Sequence, residues 1–206
     1  MNKIEKTIES ENSICLHRVD WRFLLPRLSF KRVLLINADR EALLETAMQH
    51  IFPKTDIMHH FDRSTKNHHY DLVVYRSPTF QLHDIPLQGK GYLYWEIDRT
   101  ATGKSKNQWL KKWRSLLKPV PLHTYRKILE RNGLEILSAY WIWPNHATSR
   151  RMIRLDGKNV ALSGQSFGSK GIKKLIPVIL TIADKTGLLY RFLPATGLVA
   201  QKRTSR

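Results

Sequence analysis

Short runs of branched and aromatic residues alternate along the chain with segments whose apolar positions recur every three to four residues. Val33-Leu34-Leu35-Ile36 is too short and too branched for a helix, and it reads as a strand buried on both faces. In Ala38 to His50 and just beyond, Ala42, Leu43, Ala47 and Ile51 fall at helical spacing. Glu41 and Glu45 suit its first turns, where negative charge complements the helix dipole, and Pro53 ends it. Asp56 to Phe61 predicts a second strand and Tyr70 to Tyr75 a third. Gly91 to Ile97 predicts a fourth, reached through the turn-rich segment Ser77 to Lys90 with its two prolines. Leu122 to Asn132 reads as a helix closed by Gly133 at its C-terminal cap. Strands are then expected at Leu134 to Trp141, Arg151 to Leu155 and Gly197 to Lys202, with a strongly apolar helix over Ile172 to Lys185.

Strands alternating with helices argue for an α/β architecture, a doubly wound and mainly parallel sheet. At 206 residues the expected organisation is an N-terminal extension over 1–30 and one α/β domain over 31–206. A single cysteine, Cys15, excludes an internal disulfide framework and favours a reducing, cytoplasmic setting. Met1 to Ser10 alternates charges and has no apolar core, so it does not read as a secretory signal.

Charge adds a second theme. The formal net charge is +18, and Arg99 to Lys118 holds seven basic residues and no acidic one. Lys170, Lys173 and Lys174 form another basic group. Such segments attract polyanions, which keeps nucleic acid or a membrane surface open as an anionic partner through residues 99–118 and 170–174. Trp109, Trp113 and Leu116 to Leu117 share one face of a possible basic amphipathic helix, although packing on the sheet explains that stripe equally well. Leu175 to Ala183 is apolar all round but too short to span a bilayer. Peripheral membrane contact stays open.

Identifiable residues carry a family resemblance. Val33 to Ile36 looks like the first strand of the class I S-adenosylmethionine-dependent methyltransferases, Tyr70-Asp71-Leu72-Val73-Val74 like the fourth, and Gly91 to Glu96 like the fifth. Tyr125 to Glu135 resembles the helix-to-strand junction found late in these enzymes. The resemblance spans roughly residues 30 to 160 and implies a Rossmann-like methyltransferase fold with S-adenosylmethionine as cofactor. It departs from the family in two places. Asn37-Ala38-Asp39 replaces the glycine-rich turn that lets backbone approach the cofactor. Asp62 to His69 is also too short for the helix and third strand that normally follow the second strand. By resemblance, Asn37 and Asp39 would flank the methionine end of the cofactor and Asp62 its ribose.

Trp141-Ile142-Trp143-Pro144-Asn145-His146 supplies candidates for the acceptor side. Trp141, Trp143 and Asn145 would hold a small-molecule or carbohydrate-type substrate, with His146 or Tyr75 as general base if the acceptor is a hydroxyl. The tryptophans equally suit packing under a loop. His59, His60, His68 and His69 lie near Asp56, Asp62 and Asp71, but adjacent residues on a strand point to opposite faces, so no metal is expected. Ser163 to Gly171 lacks the lysine-serine ending of a phosphate loop and reads as an ordinary loop. Three roles therefore stand open: a methyltransferase, a degenerate relative serving as a binding or accessory protein, and a basic nucleic-acid- or membrane-binding module.

Overall fold

The computed structural model describes residues 17–60, 69–77, 85–98, 122–143, 145–155, 193 and 195–203. Seven strands form one sheet: β1 (Val33–Asn37), β2 (Thr55–Met58), β3 (Tyr70–Arg76), β4 (Leu87–Asp98), β5 (Leu134–Trp143), β6 (Arg151–Arg154) and β7 (Ala195–Lys202). Their order across the sheet is β2-β1-β3-β4-β7-β5-β6. β2, β1, β3 and β4 pair in parallel. β7 inserts antiparallel between β4 and β5, which leaves β5 running with the parallel group. β6 closes the far edge antiparallel to β5. The expected doubly wound, mainly parallel sheet is what forms. Among the described residues no strand lies outside β2, where the shortened connection left no length for one.

Helix α1 (Ala42–Ile51) covers one face and α2 (Leu122–Arg131) the other. Because side chains alternate along a strand, neighbouring strands in register build rows across the sheet. One row is Ile36, Tyr75, Trp95 and Leu198, packed on the α2 side with Tyr125 and Leu129. The next is Leu35, Val74, Tyr94 and Val199, packed on the α1 side with Leu44, Ala47 and Met48. A fully buried leucine or methionine contributes roughly 1.5–3 kcal/mol, so the two layers hold the sheet from both faces.

Several boundaries differ from expectation for local reasons. α1 starts at Ala42 rather than Ala38, because Asn37 to Arg40 make a tight turn in which the Arg40 N–H donates to the Asn37 carbonyl at 3.1 Å. Arg40 takes the left-handed conformation there, at φ 53°. β4 begins at Leu87, ahead of Gly91, since Leu87 pairs with Tyr70 across a register shift. α2 stops where expected, with Gly133 left-handed at φ 70°. Residues 17–25, expected in an extension, bring Val19, Trp21 and Leu25 into the α1-side core. The basic segments 99–118 and 170–174, the apolar segment 172–185 and the loop 163–171 lie outside the described residues. Among the described residues no helix is long and apolar enough to cross a membrane.

Candidate functional site

At the carboxyl ends of the strands, the next row on the α1 face changes character. Two residues beyond Leu35, Val74, Tyr94 and Val199 stand Asn37, Arg76, Glu96 and Gly197, paired in register. Near their carboxyl ends three parallel strands thus carry, side by side, an amide, a cation and an anion. The carboxyl ends of such strands are where ligands of open α/β sheets bind.

The charges meet inside the protein. Arg76 Nη1 donates to Glu96 Oε2 at 2.9 Å and lies 3.0 Å from Glu41 Oε2. Its Nε and Nη2 lie 3.4 Å from Asp39 and 3.7 Å from Asp98. Arg18 enters from the N-terminal segment and grips two carboxylates at once. Its Nη1 and Nη2 donate to the two Glu96 oxygens at 2.8 and 2.6 Å. Its Nε and Nη2 donate to the two Glu41 oxygens at 2.6 and 3.0 Å. The side chains of Arg18 and Glu96 are both 0% exposed. This planar double fork is what a guanidinium can do and an ammonium cannot.

The segment bearing Arg18 is fixed by packing. Asp20–Leu24 forms a short 3-10 helix, and its Trp21 stacks flat on Tyr94, with ring centroids 4.2 Å apart. Tyr94 and Glu96 are two residues apart on β4, so the stack and the double ion pair lie on one face.

Burial and pairing together set the protonation states. Burial disfavours a charged Glu96, but the Arg18 guanidinium, with Arg76 beside it, outweighs it and holds the carboxyl well below its usual range. Burial likewise works against a charged Arg18, and Glu96, followed by Glu41, raises it further above its ordinary value. Asp39 is pushed up by burial against the pull of Arg76, with Asp98 and Glu41 adding repulsion. Burial lowers His146 despite the nearby Glu96. Its Nε2 lies 3.3 Å from the Thr196 carbonyl and must carry the proton to donate there, which leaves Nδ1 3.8 Å from Glu96.

The sequence matches no protein-family model, and no curated protein matches it. Among the solved structures that resemble the chain are the following three. One is a protein from Galdieria sulphuraria described as a sarcosine dimethylglycine methyltransferase, at 12% identity over 98% of this chain and 87% of that one, with a TM-score of 0.42. A second is the plantazolicin methyltransferase BpumL in complex with SAH, at 11% identity over 98% and 91%, with a TM-score of 0.44. The third is YjhP from E. coli, at 11% identity over 100% and 98%, with a TM-score of 0.42. What the sheet itself displays is four parallel strands, then a last strand inserted antiparallel before the fifth parallel one. That strand arrangement resembles the class I methyltransferase sheet.

Within a methyltransferase-like fold, the turn after β1 is where backbone would approach S-adenosylmethionine. Here Asn37, Asp39 and Glu41, at alternate positions, put side chains at that turn, Asn37 buried, Glu41 partly buried and Asp39 exposed beside Arg76. The Asn37 amide donates to the Glu41 carbonyl at 3.1 Å and to Glu45 at 2.7 Å, while Asp39 and Glu41 face Arg76 and Arg18. Asn37 Oδ1, buried, has no hydrogen-bond partner among the described residues. As arranged, Asn37, Glu41 and Arg18 are committed to bonds with one another and with Glu45 and Glu96, and no glycine lies in the turn, so the residues present do not fit a cofactor held by a glycine-rich turn.

The candidate residues divide between the layers. Asn37, Asp39 and His146 belong to the carboxyl-end cluster. Tyr75 does not, because it lies in the opposite row and packs edge-on against Trp95 at 5.7 Å. Of the two alternative general-base candidates, His146 therefore lies at the carboxyl-end cluster and Tyr75 on the opposite face of the sheet. Trp141 is buried and meets Trp143 edge-on at 5.7 Å, while Trp143 is 40% exposed. Asn145 Oδ1 accepts from the Thr148 N–H and hydroxyl at 2.9 and 3.0 Å, which closes a local turn. Asp62 and His68 lie outside the described residues. His59 Nδ1 is 3.3 Å from the Asn37 carbonyl and 3.5 Å from Glu45. Among the described residues no three potential metal ligands converge. Arg18, Arg76, Glu41 and Glu96 were not among the candidates. Their signal was the shared phase of Asn37, Arg76 and Glu96, each a polar residue ending an apolar run.

Proposed function

We propose that the chain is a methyltransferase-like protein whose cofactor end has become an internal ion-pair lock, and that it serves as a binding or accessory protein rather than a methyl-transfer catalyst. The supporting observation is the Arg18 guanidinium held between Glu41 and Glu96. Seating a cofactor above β1 and β3 requires Arg18 to leave, which strands two carboxylates. Removing one partner of a buried ion pair costs about 3–5 kcal/mol, enough to weaken binding roughly a hundredfold to a few thousandfold. Calorimetric titration with S-adenosylhomocysteine tests this directly. The expected result is no binding heat and no rise in melting temperature, and a micromolar one-to-one isotherm sinks the proposal.

One observation favours the other reading, S-adenosylmethionine-dependent methyl transfer to a small-molecule or carbohydrate-type acceptor. His146, whose pKa burial lowers, sits beside Glu96 at the carboxyl end, and Trp143 is exposed on the strand leading to it. A neutral imidazole there can act as a base. The same titration separates the two readings, since this one requires cofactor binding.

A further inference from the structure

A concave site lies at the opposite end of β1, away from the ion-pair lock. It is a cavity of about 240 Å³ between the entry to β1 and the end of α1. Phe30, Val33, Ile51 and Phe52 supply apolar lining, and Lys31 and Lys54 add two exposed cations. Phe30 is held in place rather than free to collapse inward, because it meets Phe52 and Tyr92 edge-on at 6.1 and 6.2 Å, with the Arg27 guanidinium 4.9 Å from its ring centre.

The charge balance around the cavity is one-sided. Neither the Lys31 nor the Lys54 ammonium has an ion-pair partner among the described residues. The carboxylates on the neighbouring strands are engaged elsewhere: Asp71 by the backbone N–H groups of Lys31 and Arg32, by Gln88 and by Arg27, and Asp56 by the Tyr70 hydroxyl. The end of α1 brings partial negative charge, but the Met48 carbonyl accepts from the Phe52 N–H and the Phe52 carbonyl from both Thr55 donors. Two full positive charges outweigh what remains. Apolar lining with a few charged groups is a common form of small-molecule site, and this cavity, smaller than the roughly 300–1,000 Å³ of a drug-sized pocket, exceeds the roughly 150 Å³ that admits a single benzene ring.

We propose that this cavity binds a small amphiphilic anion, an alkyl or aromatic body carrying one carboxylate or phosphate. The body would lie against Phe30, Val33 and Phe52, and the anionic group would reach Lys31 and Lys54. The site shares no residue with the ion-pair lock and stands whether or not the chain binds S-adenosylhomocysteine.

Calorimetric titration of the intact protein with octanoate, octan-1-ol and acetate tests it. Octanoate is expected to bind one-to-one, about tenfold more tightly than either of the others, because each of them lacks one half of the recognition. The double substitution Lys31→Gln and Lys54→Gln is expected to remove that advantage over octan-1-ol, and Ile51→Trp to abolish binding by filling the cavity. No octanoate binding overturns the proposal, as does equal affinity for acetate or for octan-1-ol. Cosedimentation with phosphatidylglycerol vesicles in the absence of octanoate binding also overturns it, in favour of contact with a bilayer surface.

Discussion

At the scale of single residues, Gly197 and Tyr94 illustrate how tightly the face beneath the lock is filled. A Cβ built at Gly197 would lie 2.6 Å from Tyr94 Oη and 3.1 Å from two of its ring carbons. Tyr94 cannot swing away, since Trp21 stacks on its ring. Its hydroxyl is buried with no hydrogen-bond partner among the described residues. Burial, followed by the charge of Glu96, pushes its pKa well up, so the phenol stays neutral. Gly197→Ala should therefore cost about 1–3 kcal/mol through overpacking. Tyr94→Phe removes an unsatisfied polar atom and should be close to neutral. The two changes should couple, with the double variant recovering part of the Gly197→Ala loss, because phenylalanine removes the 2.6 Å oxygen contact and leaves only the 3.1 Å ring contacts. Urea denaturation of the four proteins in the cycle measures that coupling. Strictly additive effects would show that the strand, rather than the phenol, resists the methyl group.

At the scale of elements, the 17–25 segment depends on Arg18. Arg18→Met keeps length and apolar bulk but leaves Glu96 facing only Arg76 and His146, and Glu41 facing only Arg76. A loss of about 3 kcal/mol is expected, at the low end for a broken buried pair because Arg76 stays in place. Urea unfolding followed by tryptophan fluorescence checks this, with Trp21 reporting on the segment itself. An unchanged midpoint would mean the Trp21 stack, not the ion pairs, seats the segment. This element was the least legible in the sequence. The apolar runs at Val33, Tyr70 and Gly91 announced their strands because a strand buried on both faces must be apolar on both. Gly133 announced a helix end through its backbone freedom. Arg18 carries no comparable local sign, since its partner Glu96 is 78 residues away. Glu41, read as a complement to the α1 dipole, makes no side-chain cap there, because its oxygens are given to Arg18 and Arg76. Tyr75 stands on the opposite face for a reason alternation does not reveal. In a strand apolar on both faces, alternation alone does not show which residue turns toward the ligand end of the α1 layer, and Arg76 is the one that does.

At the scale of the whole molecule, the buried charges make stability depend on pH in two stages. His146 is neutral in the folded protein, with its pKa lowered by burial, whereas the unfolded chain binds a proton there near 6.5. Below that pH the unfolded state therefore takes up a proton that the folded state refuses, so stability falls as pH drops through 6.5. Glu96 acts lower down. Its folded pKa is held far below the ordinary 4.5, so its contribution is complete above 4.5 and is lost as the solution is acidified beneath that value. The chain already carries +18, and every carboxylate that gains a proton adds to its self-repulsion. Salt distinguishes these causes, because repulsion across the surface is screened over about 10 Å at 0.1 M, while burial of His146 is not relieved by ions in solution. Urea midpoints at pH 8 and pH 5.5 should differ for the native sequence at both low and high salt. In a His146→Gln variant the difference should shrink, and whatever difference remains should diminish in high salt. A variant that keeps the full, salt-insensitive drop would place the first stage on another group.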